Sequence, residues 1–200
     1  MIKTVIFDIG GVLIGYNWQE HLLREFNNDS ALVDRIKENV FGHGNWDEVD
    51  RGVLTEAELF ERFEKHAPDL KNEIHQFWET LGGALWQYDF TKDWIKDLKN
   101  RGYRVLYLSN WSDHVKKCCE EQMDFLPMMD GGVFSYEAHL IKPDHAIYKA
   151  IIDKYELDPA ECVFLDDRLD NCEAARECGM NAVQVTDHET AVEGLEKLLK

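Results

Sequence analysis

Short runs of β-branched and aromatic residues recur along the chain at "KTVIFD" (3–8), "YRVLYLSN" (103–110), "ECVFLDD" (161–167) and "NAVQV" (181–185). Each is too brief for a helix and reads as a strand. Helical patterns lie between and after them. "TKDWIKDLKNRG" sets Trp94, Ile95 and Leu98 on one face and stops at Gly102, while "HAIYKAIIDKY" repeats Ile147, Ile151 and Ile152. "DNCEAARECG" offers Asp170 as an N-cap and Gly179 just past the end, and "HETAVEGLEKLLK" repeats Val192, Leu195 and Leu199. Strand and helix in alternation predict an α/β fold, a parallel sheet with helices on both faces.

Residues 16–88 break that alternation. Four helix-like stretches, near 17–27, 30–40, 55–66 and 70–81, are joined by loops at "FGHGNWDEVDRG" and "LGGALWQYD", with no convincing strand. The expected organisation is a core of residues 1–15 and 89–200 carrying a helical insertion at 16–88.

Charge then narrows the partners. Lys and Arg number 22 against 39 Asp and Glu, a formal net charge of −17. Such a protein offers no basic field to a nucleic-acid backbone or an anionic leaflet, so neither is an expected partner. An anionic substrate has to be held by local donors or by a cation. The apolar start ends at an aspartate without the features of a signal peptide, and no stretch reads as a membrane span. The five cysteines form no C-x-x-C pair and read as reduced thiols, which suits a cytoplasmic protein. Nothing calls for an obligate protein partner.

The polar residues at the strand ends carry the chemistry. Asp8 ends the first strand, Ser109 and Asn110 the second, Asp166 and Asp167 a later one, and Lys142 stands in "IKPD" before a helix. Strands of an open parallel sheet deliver their carboxyl ends to one crevice, so these groups are expected to share a site. Taken singly, each is ordinary turn or cap chemistry. The adjacent pair Asp166 and Asp167 differs, because two neighbouring carboxylates repel unless a cation or a proton sits with them. Gly10 and Gly11, directly after Asp8, let backbone approach a ligand closely. Trp111 follows Ser109 and Asn110 and is the best candidate pocket aromatic. Trp18, Trp46 and Trp86 read first as packing, and His43 and His114 as solvated loop residues that could also donate to a sugar.

These four segments, in this order, resemble the motifs of the haloacid dehalogenase (HAD) superfamily: "FDIGGVL", "LSN", "IKPDHAIY" and "FLDDRLDN". The resemblance spans essentially the whole chain and is nearest to the glucose-1-phosphate phosphatases and the phosphatase domain of epoxide hydrolases. It implies a Rossmann-like core with an inserted C1-type helical cap, and a Mg²⁺-dependent phosphatase of small phosphorylated metabolites, sugar phosphates foremost. Asp8 would be the nucleophile, with Ser109 and Lys142 completing the catalytic set. The phosphate would be held by Ser109, Asn110, Lys142 and the backbone at Gly10 and Gly11. The metal would be held by Asp8, the Gly10 carbonyl and Asp167, with Asp166 direct or one shell out. Most such phosphatases carry a second aspartate two residues after the nucleophile, as acid and base. Here that position is Gly10, and its substitute is not named by the sequence. A metal-free haloacid dehalogenase would share Asp8 but leave the Asp166–Asp167 pair unexplained. A receiver domain would open with its aspartate pair and lack the insertion. A catalytically silent binding module is the remaining alternative.

Overall fold

The computed structural model describes residues 1–199. In chain order the elements are β1 (Thr4–Phe7), β2 (Ile14–Tyr16), α1 (Trp18–Glu25), α2 (Ser30–Phe41), α3 (Asn45–Arg51), α4 (Glu56–Glu64), α5 (Lys71–Thr80) and β3 (Leu85–Gln87). There follow α6 (Thr91–Asn100), β4 (Arg104–Ser109), α7 (Asp113–Cys118), β5 (Gly132–Phe134), α8 (Ser135–Ala138), α9 (His145–Tyr155), β6 (Cys162–Asp166), α10 (Leu169–Glu177), β7 (Asn181–Gln184) and α11 (His188–Leu198).

Five strands form one parallel sheet in the order β5-β4-β1-β6-β7. The period-two alternation of a pleated strand decides which residues face which side. Val5, Phe7, Val105, Val163 and Leu165 enter one hydrophobic core; Ile6, Leu106, Leu108 and Phe164 enter the other. The first core continues without a break into α1, α2, α4 and α5 through Leu22, Ile36, Phe63 and Phe77. The chain runs outward from β1 to β4 and β5, then returns to the far side of β1 for β6 and β7. Beside β1 the winding reverses direction, and in such sheets the crevice at this point takes the ligand.

Helix starts follow the capping chemistry. Asn17, Asp29, Ser112, Asp144 and Asp187 each accept a backbone N–H of the helix they precede, and Thr55 with Glu58 forms a capping box. Asp170 does not cap α10: the helix begins at Leu169, and Asp170 binds the Arg168 guanidinium from its first turn.

Residues 16–88 depart from expectation in two places. The stretch read as a loop at 41–52 contains α3, seven residues bracketed by Gly44 and Gly52, both in the left-handed region at φ 68° and 65°. β2 and β3 pair as a short antiparallel ribbon outside the main sheet, at the two ends of the helical insertion. β5 was also unforeseen, and its three residues close one edge of the sheet. All five cysteines are unpaired. Among the described residues no helix is long and apolar enough to cross a membrane.

Candidate active site

The carboxyl end of β1 turns at once. The Ile9 carbonyl accepts the N–H of Leu13 and of Ile14, and the Gly11 N–H donates to the Ile14 carbonyl at 2.8 Å. Asp8 therefore stands at the rim of the sheet, its backbone still held by the Leu165 carbonyl of β6. Its carboxylate is asymmetrically engaged. Oδ1 accepts the Ser109 hydroxyl at 2.6 Å and lies 2.9 Å from Lys142 Nζ, while Oδ2 accepts nothing among the described residues. One oxygen is held and the other is open.

Lys142 is almost completely buried and bridges two carboxylates, Asp8 at 2.9 Å and Asp166 at 2.6 Å. Asn110 fixes its backbone, accepting the Lys142 N–H at 2.8 Å and donating to the Lys142 carbonyl at 3.0 Å. Burial disfavours the ammonium, yet Asp166 and Asp8 more than offset this and hold Lys142 above its ordinary range. Burial pushes Asp8 upward, with Asp166 adding to it and Lys142 and the Ser109 hydroxyl opposing. Asp167 shifts upward as well, by burial first and then by Asp166.

Asp8, Asp166 and Asp167 each present a carboxylate oxygen within 4.8 Å of the others. Three carboxylates against one ammonium leave an excess negative charge that a divalent cation would balance. The free oxygens fit a hard cation. The Gly10 carbonyl and the Asp167 carboxylate have no donor among the described residues, Asn171 Oδ1 is buried without a partner, and the Asp8 carboxylate stands beside them. Asp166 is differently placed. Its Oδ1 takes the Arg168 N–H and Asn171 Nδ2, and its Oδ2 takes Lys142 and Asn171 Nδ2, so it orients its neighbours and has no oxygen to spare.

The two glycines are placed differently, and only Gly11 departs from the expected phosphate contact. Gly11 sits at φ 75°, and a Cβ there would lie 2.7 Å from Asp167 Oδ2, so only glycine lets Asp167 reach this place. Its amide is spent on Ile14 and is not available to a phosphate. The amides of Ile9, Gly10 and Asn110 have no acceptor among the described residues and remain available. A Cβ at Gly10 would meet the Trp111 ring at 3.3 Å and Tyr16 at 3.6 Å. A side chain at position 10 would thus start against the Trp111 ring, with Tyr16 at ordinary contact distance.

Above Asp8 opens a cavity of about 320 Å³ between the sheet and the inserted helices. Asp8, Gly10, Asn110, Lys142, Asp167, Arg168 and Asn171 form its floor. Trp18, Phe41, Trp46 and Trp111 line its walls, the first three packed together with ring centroids 4.6–5.8 Å apart. Trp18 and Trp46 therefore face the cavity as well as packing. Trp86 does not line it: it lies half-exposed over Gly15 on the ribbon. His114 stacks on Trp78 and bonds its carbonyl at 2.9 Å, fastening α7 to α5. His43 pairs with His66 away from the cavity. Neither histidine lines the cavity. Sequence reasoning missed Asp47, Asp50 and Arg168, which also reach the cavity.

A crevice at the reversal of a parallel sheet, with an aspartate, a serine, a buried lysine and an acidic pair at its strand ends, defines the class. The chain belongs to the haloacid dehalogenase-like hydrolases, whose family model matches residues 2–179. Among its relatives are a D-ribitol-5-phosphate phosphatase of Bacteroides thetaiotaomicron, 27% identical over 92% of each protein, and a sesquiterpene phosphatase of Aspergillus oryzae, 23% identical over 92% of this chain and 90% of the relative. Other relatives are much longer. The chain spans 19% of the mouse acyl-CoA dehydrogenase family member 10 and 34% of an Aspergillus calidoustus drimenol cyclase. A HAD family enzyme of B. thetaiotaomicron, solved in complex with magnesium and inorganic phosphate, superposes with a TM-score of 0.73 at 25% identity, covering 92% of this protein and 94% of that one. A HAD-like hydrolase of Porphyromonas gingivalis reaches 0.77 at 25% identity, covering 100% and 98%.

Proposed function

We propose that the protein is a Mg²⁺-dependent phosphomonoester hydrolase that works through an aspartyl-phosphate on Asp8. The observation that carries this reading is the engagement of Asp8: Oδ1 is fixed by Ser109 and Lys142 while Oδ2 is left free on the cavity floor that Asp167 shares. A carboxylate held by one oxygen is oriented to attack with the other, and covalent capture splits one difficult displacement into two easier ones. The Lys142 ammonium, with the free amides of Ile9, Gly10 and Asn110, supplies donors to the equatorial oxygens of the phosphoryl group. Fixed donors of this kind give most of the rate in phosphoryl transfer.

Asp8, the Gly10 carbonyl and Asp167 would hold the magnesium, with Asp166 keeping Lys142 and Asn171 in place behind them. When bound, the ion supplies the charge neutralisation that lets a carboxylate approach a phosphate dianion. Residues 16–88 serve as the cap, and α3 contributes Trp46, Asp47 and Asp50 to the lining of the cavity that holds Asp8. The substrate is a small phosphorylated metabolite, and we favour a sugar or polyol phosphate. Trp18, Trp46 and Trp111 offer faces to the C–H groups of a sugar ring or polyol, and Asp47 offers acceptors to hydroxyls.

The test is phosphate release from a panel of sugar, polyol, terpenyl and aryl phosphates, with Mg²⁺ and with chelator, and with chloride release from 2-chloropropionate alongside. The expected result is Mg²⁺-dependent phosphate release that is strongest on sugar or polyol esters. Chloride release indifferent to chelator would reject the phosphatase reading, and a preference for terpenyl phosphates would reject the substrate class.

A further inference from the structure

Gly10 supplies no carboxyl two residues after the nucleophile, and the rings of Trp111 and Tyr16 lie against the point from which one would project. A poor alkoxide leaving group needs a proton, and a positioned acid or base is typically worth about 10²–10⁴-fold. The described residues hold one carboxyl suited to the task. Asp50, in the last turn of α3, is only 9% exposed, lines the cavity that contains Asp8, and its side chain has no hydrogen-bond partner among the described residues. Its carboxyl oxygens open onto the cavity and are committed to no protein group, so they are free to meet whatever enters it.

Its position is fixed from the core side. The Asp50 carbonyl accepts the Ser135 hydroxyl at 2.6 Å, and the same Ser135 oxygen accepts the Trp111 N–H at 2.9 Å. The Arg51 carbonyl is bonded by His139 Nδ1 at 3.1 Å, and Gly52 lies so close to Tyr136 that a Cβ there would approach to 2.7 Å. Three consecutive cap residues are thereby pinned to the helix after β5 and its C-terminal end. The far end of α3 is held through Asn45, which donates to the Asn39 carbonyl at 2.6 Å and accepts Arg62 Nε at 3.1 Å. The cap therefore presents Asp50 to the nucleophile's cavity at a set place.

Resting on the phosphatase reading above, the geometry points to Asp50 as the acid and base that Gly10 cannot be. In the first step Asp8 Oδ2 bonds to phosphorus, the ester P–O bond breaks, and its electron pair takes the Asp50 proton to release an alcohol. In the second step water bonds to phosphorus as the Asp50 carboxylate takes its proton, and the Asp8 O–P bond breaks with its electron pair returning to Asp8. Phosphate leaves and Asp50 is again protonated. Burial, then Asp47 and Asp8, pushes the Asp50 carboxyl up to about 8 against the opposing Lys142 and Arg168, so it enters the cycle carrying its proton at neutral pH.

The test compares wild type, Asp50→Asn and Asp50→Glu with Mg²⁺ on an alkyl phosphate and on p-nitrophenyl phosphate, whose leaving group needs no proton. Asp50→Asn is expected to cost about 10²–10⁴-fold in kcat/KM on the alkyl ester and far less on the aryl ester. Rapid quench of its aryl reaction should show a burst of nitrophenol and phosphoenzyme accumulating on Asp8. Asp50→Glu should recover part of the loss on the alkyl ester. Equal losses on both esters, or an Asp50→Glu variant as selective in its loss as Asp50→Asn, would overturn the assignment while leaving phosphatase activity intact. A wild type that hydrolyses neither ester, nor any member of the wider panel, would overturn the function itself.

Discussion

Replacing Asp50 by asparagine removes one buried ionisation and keeps the shape of the side chain, so its effect on stability has a calculable pH dependence. Burial pushes the folded carboxyl up to about 8 from an ordinary 3.8. That separation of about four units, at about 1.36 kcal/mol each, sets a ceiling of roughly 5 kcal/mol. The sign follows from proton counting: between about pH 4 and pH 8 the folded state binds a proton that the unfolded chain has released. Stability is therefore greatest below the unfolded pKa and falls as pH rises through the folded one. The asparagine variant has no proton to lose, so its stability relative to wild type should climb across that window and level off above it. Urea unfolding of both proteins in chelator, from about pH 5 to pH 9, reads the difference directly. A relative gain of about half the ceiling is enough to see, since 1 kcal/mol shifts the midpoint by a measurable fraction of a molar. Parallel stability curves across the window would refute the claim that Asp50 is a buried, protonated carboxyl.

Lys142→Met leaves Asp8 and Asp166 without their shared ammonium, and should cost about 3–5 kcal/mol in a thermal melt. Added Mg²⁺ should restore part of it, and an unchanged melting temperature would contradict the bridge. Gly11→Ala places a Cβ against Asp167 Oδ2 at a left-handed position, costing about 1–2 kcal/mol and raising the Mg²⁺ concentration needed for half-maximal phosphate release. An unshifted Mg²⁺ titration would show that Asp167 is not a ligand. Gly10→Asp should not accelerate turnover of an aryl phosphate, because its Cβ would press on the Trp111 ring at 3.3 Å. Faster turnover would mean that the ring yields.

The central strands were legible because β1, β4 and β6 are long enough to show an apolar run ending in polar residues. Parallel topology then does the rest: strand ends converge, and Asp8, Asn110, Lys142 and Asp167 reach one cavity floor, with Ser109 and Asp166 bonded to them from behind, although most of the chain lies between the first and the last. The ribbon and β5 were not legible, since three residues hold too little of a period to be told from a turn. α3 was hidden by its flanking glycines, and with it Asp50. That residue's role depends on docking against Ser135, 85 positions away, which no local pattern records. A weak signal existed: Asp47 and Asp50, three apart beside Trp46, would share one face if the stretch were helical. Which of Asp166 and Asp167 keeps its oxygens clear of protein donors was also beyond the sequence, because it depends on what Asn171 and the Arg168 amide bond.

Acid-quenched enzyme, mixed with a substrate from the phosphate panel and Mg²⁺, digested and sequenced by mass spectrometry, tests phosphoryl transfer to Asp8 most directly. One phosphoryl group should be found on the peptide containing Asp8, discharged by hydroxylamine and absent from Asp8→Asn, which should also release no phosphate. Steady phosphate release with no label on that peptide under any quench time, or an Asp8→Asn variant that turns over like wild type, would contradict the account.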